Sequence, residues 1–308
     1  MRLKLNFPLS NAHRKHKQKG AALMLMAFIL ALAATAYLLK SINAENLKAR
    51  QDIKTAQALG AAKKALIAWA VSNPNNPGLM PYPDRNGDGN YDDTSDCYAS
   101  NIKFAPYFTL GHLPLFKSDT NCVTHDSKDP SGAHDLTVKN GLSEDFRDGA
   151  GERLWYEASS NLLHDYKSTT DHSNGTPPII NASILVSSKS DWLVVRDRNG
   201  AVISDRVAAV IISPGQAIGN QNRSSGIANA DQYLDKIVMA NGLTYQNYNY
   251  QQPTNPIQNF IIGDDMRTVA RNDPTYKKQA IAPYYFNDKL IYVTIDELMA
   301  VVIKRTGN

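Results

Sequence analysis

The chain opens on polar and basic residues, then runs uncharged from Ala21 to Leu39 as AALMLMAFILALAATAYLL, closed by Lys40. At about 1.5 Å per residue, a helix over that run is roughly 29 Å long, close to the ~30 Å hydrocarbon layer of a bilayer. The basic stretch before it predicts one membrane pass with a cytoplasmic N-terminus and an exported C-terminus. The helical pattern persists past Lys40, because residues 41–72 contain no proline and a single glycine. Ile53, Ala56, Leu59, Ala62, Leu66, Ile67 and Ala70 recur mostly at spacings of three and four, which draws one apolar face. Lys48, Arg50, Asp52, Lys54 and Lys64 occupy much of the remainder. Asn73-Pro74-Asn75-Asn76-Pro77-Gly78 is a strong stop. The expectation is one helix over 21–72, about 80 Å long. Its first half would face lipid and its second half would lie on a globular core.

Beyond that stop the pattern shortens. Ile179–Val186, Trp192–Arg196, Val207–Ser213 and Lys289–Val293 are β-branched or apolar runs of strand length. Thr294-Ile295-Asp296-Glu297 has the form of a capping box and predicts a terminal helix over Ile295–Lys304. Tyr245–Asn255 is rich in Gln, Asn and Tyr without periodicity and reads as an exposed loop. No internal repeat and no second independently folding domain is visible. The organisation is therefore a leader over 1–20, a helix over 21–72 and a globular head over 73–308.

Composition changes this picture in two places. The 308 residues are 43% apolar, enough for a substantial core. The formal charge of +4 comes from Arg2, Lys4, Arg14, Lys15, Lys17 and Lys19, which sit in the first 20 residues with no acid among them. Without them the chain is slightly acidic, and no basic cluster interleaved with aromatics follows residue 72, so nucleic acid is not an expected partner. Ala34-Thr35-Ala36 has the small-x-small form of a signal-peptidase site, which leaves ordinary secretion as an alternative to an anchored pass. The two cysteines, Cys97 and Cys122, fall in the exported part, where an even count favours a disulfide. Closing that loop would stabilise by roughly 3.5 kcal/mol on the chain-entropy account.

The sharpest chemical motif is Asp84-Arg85-Asn86-Gly87-Asp88-Gly89-Asn90-Tyr91-Asp92. Its D-x-N-x-D-G-x-x-D spacing places oxygen ligands around a glycine turn. Asp84, Asn86 and Asp88 would ligate Ca²⁺ by side chain, Asn90 by its carbonyl, and Asp92 directly or through water. Position twelve is Ser95 rather than glutamate, so this is no EF-hand proper; Asp93 and Asp96 are candidate substitutes. The alternative is a plain Asn/Asp/Gly turn. Cys122, His125 and His134 lack a fourth zinc ligand and compete with the disulfide. His125-Asp126 and His134-Asp135 have no nucleophile motif beside them, and no phosphate-binding or dinucleotide fingerprint occurs. An enzyme is not the expectation.

Lys17-Gln18-Lys19-Gly20, followed directly by Ala21-Ala22-Leu23-Met24-Leu25, resembles the leader of a type IV prepilin. That resemblance implies cleavage after Gly20 by a prepilin peptidase and methylation of Ala21 as the new N-terminus. Major members of the family carry phenylalanine first and glutamate fifth in the mature chain, where this sequence has Ala21 and Leu25. In a filament that glutamate neutralises the N-terminal ammonium of a neighbour, and members lacking it resemble minor pilins and tip-located pseudopilins. A branch that packs differently is the other reading. Met80-Pro81-Tyr82-Pro83-Asp84, Gly111-His112-Leu113-Pro114-Leu115 and Asp148-Gly149-Ala150-Gly151-Glu152-Arg153-Leu154-Trp155-Tyr156 are similar to landmarks of pilin-like heads. The resemblance is closest over residues 14–72 and thins beyond about 160. It implies an α+β, pilin-like fold whose long N-terminal helix, transmembrane in its first half, packs on a head with an antiparallel sheet. The implied function is that of a minor subunit in a type IV pilus or type II secretion filament, held in the inner membrane with its head periplasmic or extracellular. The implied partners are other pilin or pseudopilin subunits, the prepilin peptidase and the inner membrane. An anchored adhesin, a DNA-uptake subunit and an anchored hydrolase are the rival expectations.

Overall fold

The computed structural model describes residues 19–72, 77–84, 109–115, 123–128, 134–138, 141–142, 144–163, 192–197, 199–218, 221–225, 230–238, 244–248, 259–262 and 286–306. Two compact units divide the chain at Arg50/Gln51. Helix α1, Lys19–Ser72, runs through that division. In the first unit its described side chains from Leu23 to Tyr37 are exposed throughout.

The second unit is built on a mixed sheet. Its strands are β1 (Leu110–His112), β4 (Trp155–Ala158), β5 (Leu193–Arg196), β6 (Val202–Ser213), β9 (Asn259–Ile261) and β10 (Lys289–Thr294). Two small antiparallel pairs stand apart from it: β2 (Val123–Lys128) with β3 (His134–Val138), and β7 (Lys236–Val238) with β8 (Thr244–Gln246). Strand β6 is the centre. Ala209 is paired with both Ala158 and Val293, so β4 and β10 flank it. Val207 is paired with both Leu193 and Thr294, so β5 and β10 flank it there. Strands β4 and β5 thus follow one another along the same edge of β6. The handover coincides with a bulge: Val293 faces Ala209 and Thr294 faces Val207, leaving Ala208 unopposed. Ala208 is not idle, since its carbonyl accepts the Ser159 N–H at 2.8 Å.

The two faces of this sheet are both buried, which is why Val207–Ile212 reads as an unbroken apolar run. One core takes Tyr156, Ala158, Ala209, Ile211 and Val293 from the sheet. Leu59, Ala62, Leu66 and Ala70 of α1 lie in it, together with Leu298, Met299 and Val302 of α2 (Ile295–Thr306). The other core takes Trp155, Leu193, Val207, Val210, Ile212 and Phe260. Alternation along β6 assigns its residues to the two cores in turn, and the bulge at Ala208 breaks the period once.

Helix α2 starts where the capping residue predicts. The Thr294 hydroxyl accepts the Glu297 N–H at 3.1 Å, while the Glu297 carboxylate pairs with Lys63 of α1 at 2.7 Å. A second cross-link joins Lys289 to Asp52 at 2.5 Å.

Several expectations are corrected here. The sheet is mixed rather than antiparallel, because β9 runs parallel to β5. A transmembrane first half is not found: among the described residues no helix is long and apolar enough to cross a membrane. The pilin-like fold class and the single-pass inner-membrane localisation with an exported head are therefore both set aside. Tyr245 and Gln246 belong to strand β8 instead of a loop, since pairing with Ile237 and Lys236 supplies the order that the side-chain pattern lacks. Strand β6 begins earlier than Val207, at Val202, because pairing with β5 recruits its polar first half. The strand expected over Ile179–Val186 lies outside the described residues.

Two glycines provide a contrasting test. A side chain on Gly149 would come within 2.1 Å of the Gln51 carbonyl oxygen, whereas one on Gly60 meets nothing within 4 Å. We predict that Gly149→Ala lowers stability by at least ~1–3 kcal/mol, because backbone must move. Gly60→Ala, inside a helix, should raise it by about 0.5–1 kcal/mol. Chemical denaturation of the two variants beside the wild type checks both signs.

Candidate functional site

Three groups of residues carry features beyond packing. The first is the apolar stretch of α1. Leu23, Met24, Leu25 and Met26 are consecutive and so point around the whole helix, and Leu23 and Met24 are 74% and 78% exposed. Phe28, Ile29, Leu30, Leu32 and Tyr37 are exposed as well. A surface helix of a monomeric protein keeps a polar face; this segment has none. The bond between Gly20 and Ala21 lies in the first turn of the same helix, where backbone N–H groups have no intrahelical acceptor.

The second group is the turn at Asp148–Arg153. Asp148 is buried, and four donors satisfy its carboxylate. Oδ1 accepts the N–H groups of Ala150 and Glu152, both at 2.9 Å. Oδ2 accepts the Ser213 hydroxyl at 2.7 Å and the Gly215 N–H at 3.0 Å. The Gly149 N–H donates to Thr55 Oγ1 at 2.9 Å, and Gly151 takes the left-handed conformation that the turn requires (φ 92°). Arg153 then reaches Asp84, donating to Oδ2 at 2.7 Å; that carboxylate is wholly buried. Backbone bonds in both directions join Asp84 to His112. The His112 ring meets Trp155 edge-on, with centroids 4.7 Å apart, and its Nδ1 is buried without a partner among the described residues. Burial holds the imidazole well below its ordinary value, and the guanidiniums of Arg153 and Arg147 act in the same direction.

The third group is a polar knot that no motif announces. Asp235 and Asp288 are both buried, and the Asp235 N–H donates to Asp288 Oδ2 at 2.8 Å. Asn247 joins them, donating from its backbone to the Asp235 carbonyl and from its side chain to Asp288 Oδ2. Burial raises Asp235 to about 6, opposed by donors from Asn287, Asp288 and Gln221 and by the Arg223 charge. Burial and the neighbouring Asp235 charge raise Asp288 well above the carboxylate range. Sequence reasoning missed all of these residues, because each stands in a polar segment with ordinary spacing.

The expected site residues fare unevenly. Asp84 of the candidate calcium loop is described, with Arg153 as a partner of its carboxylate. Asn86, Asp88, Asn90 and Asp92 lie outside the described residues, as do Cys97 and Cys122 of the expected disulfide. No group of three or more potential metal ligands occurs among the described residues. The ladder of β2 and β3 places His125 opposite Leu136 and His134 opposite Lys128, so the two histidines do not face each other. No family model, no curated protein and no solved structure matches the chain.

His112 supplies a pH prediction. Its folded pKa lies below the unfolded value of 6.5, so the unfolded chain binds the extra proton. The stability that depends on a neutral imidazole is fully present above 6.5 and is lost as pH falls below it. His112→Phe keeps the ring edge against Trp155 and removes the titration. The difference in stability between variant and wild type should therefore move in favour of the variant from about pH 7 to about pH 5. Denaturation midpoints across that range measure it, and a constant difference would contradict the assignment.

Proposed function

We propose that this chain is a structural subunit that acts by assembly, in the manner of a minor pilin or pseudopilin, after processing between Gly20 and Ala21. The exposure of Leu23–Tyr37 around the whole circumference of α1 is the observation that supports this most directly. Isolated surface hydrophobic residues need no explanation, but a helix apolar on every side has water as an unfavourable neighbour in all directions. Burial of one large apolar side chain contributes roughly 1.5–3 kcal/mol. A bundle of such helices from neighbouring subunits removes many of them from water at once. The second unit, closed over two cores, folds around the rest of α1 and would give each subunit its exposed surface.

Ala21 and Leu25 at the first and fifth mature positions bear on where such a subunit fits. No carboxylate is available at Leu25 to neutralise the amino terminus of a neighbour, which suits a low-abundance position better than a repeating one. The apolar contact would then be made with subunits of other kinds as well as with copies.

The mass of the N-terminal peptide, taken from protein purified from its native host, tests the processing step. A methylated Ala21 is expected; an intact Met1 or a Tyr37 start would overturn the reading. Phe28→Glu tests the contact itself. This variant should lose co-purifying subunits by about tenfold or more, while the melting temperature of the second unit, which holds no residue before Gln51, stays unchanged.

A further inference from the structure

Asp235 and Asp288 share the surrounding donors unequally. Asp235 Oδ1 accepts from Gln221 Nε2 at 2.9 Å, and Oδ2 accepts the N–H groups of Asn287 at 2.7 Å and Asp288 at 3.3 Å. Asp288 Oδ2 accepts from the Asp235 N–H and from Asn247 Nδ2, but its Oδ1 is buried and meets no partner among the described residues. A carboxylate delocalises its charge over both oxygens, so an oxygen with no donor carries an uncompensated buried charge.

Among the described residues, cations do not make up the difference. Arg223 is the charge that acts on both carboxylates, and it is also paired with Glu152 at 2.9 Å. One guanidinium therefore serves three carboxylates. Its plane lies over Tyr233, 5.3 Å from the ring centroid, and burial raises the phenol of Tyr233, as it does that of Tyr248. Neither phenol adds a charge near neutrality. Asp231, whose charge acts on Tyr248, is a further acid on the same segment. Lys289, the residue after Asp288, is paired with Asp52.

The knot also has a mechanical position. Asp235 precedes β7 and Asn247 follows β8, and the Asn247 N–H closes the base of this hairpin on the Asp235 carbonyl at 2.9 Å. Asn247 Oδ1 accepts the Ile261 N–H at 2.9 Å, which fastens the hairpin to the end of β9. Asp288, immediately before β10, fastens it to the strand that flanks β6.

We propose that Asp288 carries a proton on Oδ1 while Asp235 is ionised, and that this proton locks the β7–β8 hairpin to β9 and β10. The donor-rich carboxylate keeps the charge and the donor-poor one keeps the hydrogen. Loss of that proton places two buried like charges at the base of the hairpin, and the fastening opens. The device responds to alkaline change, opposite in sense to His112.

The test uses the full-length protein. Asp288→Asn is isosteric with the protonated acid and presents a carbonyl oxygen to the Asp235 and Asn247 donors. In the wild type at about pH 7 the infrared spectrum should show a protonated carboxyl stretch, absent in Asp288→Asn. Hydrogen-exchange protection of strands β7 and β8, corrected for intrinsic rates, should fall at least ~tenfold between about pH 6 and about pH 9 in the wild type. It should stay constant in Asp288→Asn. Absence of the carboxyl band, constant protection in the wild type, or the same decline in the variant would each overturn the proposal. Should the variant fail to fold, the wild type alone decides, by whether the band and the protection are lost together as pH rises.

Discussion

The second unit is organised by one carboxylate. Asp148 accepts four hydrogen bonds, two from its own turn and two from the end of β6. Each of these donors replaces part of the hydration that the carboxyl group loses on burial. Its turn then presents Gly149 to the backbone of α1 at Gln51 and its N–H to Thr55, so close that no side chain could stand between. Helix, turn and central strand meet at this residue. Asp84, His112 and the β4 edge follow from it through Arg153.

Around that point the fold solves two burial problems with one strand. Both faces of β6 are covered, so its middle has no polar positions to mark an outside. The bulge at Ala208 adjusts the register where β4 gives way to β5 along the same edge. It also turns a carbonyl toward Ser159, which keeps the irregularity from leaving an unsatisfied polar group. The polar knot at Asp235 and Asp288 has the converse character, since it buries more acceptors than it has donors to supply.

Local signals in the sequence were read more reliably than pairings. The proline–asparagine run after Ser72, the apolar spacing from Leu59 to Ala70 and the Thr294 cap describe single elements, and nearest-neighbour chemistry is enough to read them. The Asp/Gly-rich turn at Asp148 stood out for its glycines, although not for its contacts with Thr55 and Ser213, which lie far away in the chain. Parallel pairing of β9 with β5 was illegible, because Asn259–Ile261 is too short to carry a period. Hydropathy alone misled in the other direction. It marks the stretch after Gly20 as apolar, but apolarity does not distinguish a lipid neighbour from a protein one. The knot was invisible because Asp235, Asn247 and Asp288 become a cluster only through the hairpin.

The order of elements along the chain has a consequence for how the protein is made. The core that receives Leu59, Ala62, Leu66 and Ala70 is completed by Val293, Leu298, Met299 and Val302. During synthesis the apolar face of α1 emerges long before β10 and α2, which supply part of its core. Contacts of such long sequence separation form slowly. Until those two elements emerge, the core around α1 is incomplete, and a ribosome that stops before β10 releases a product that lacks Val293, Leu298, Met299 and Val302 from it.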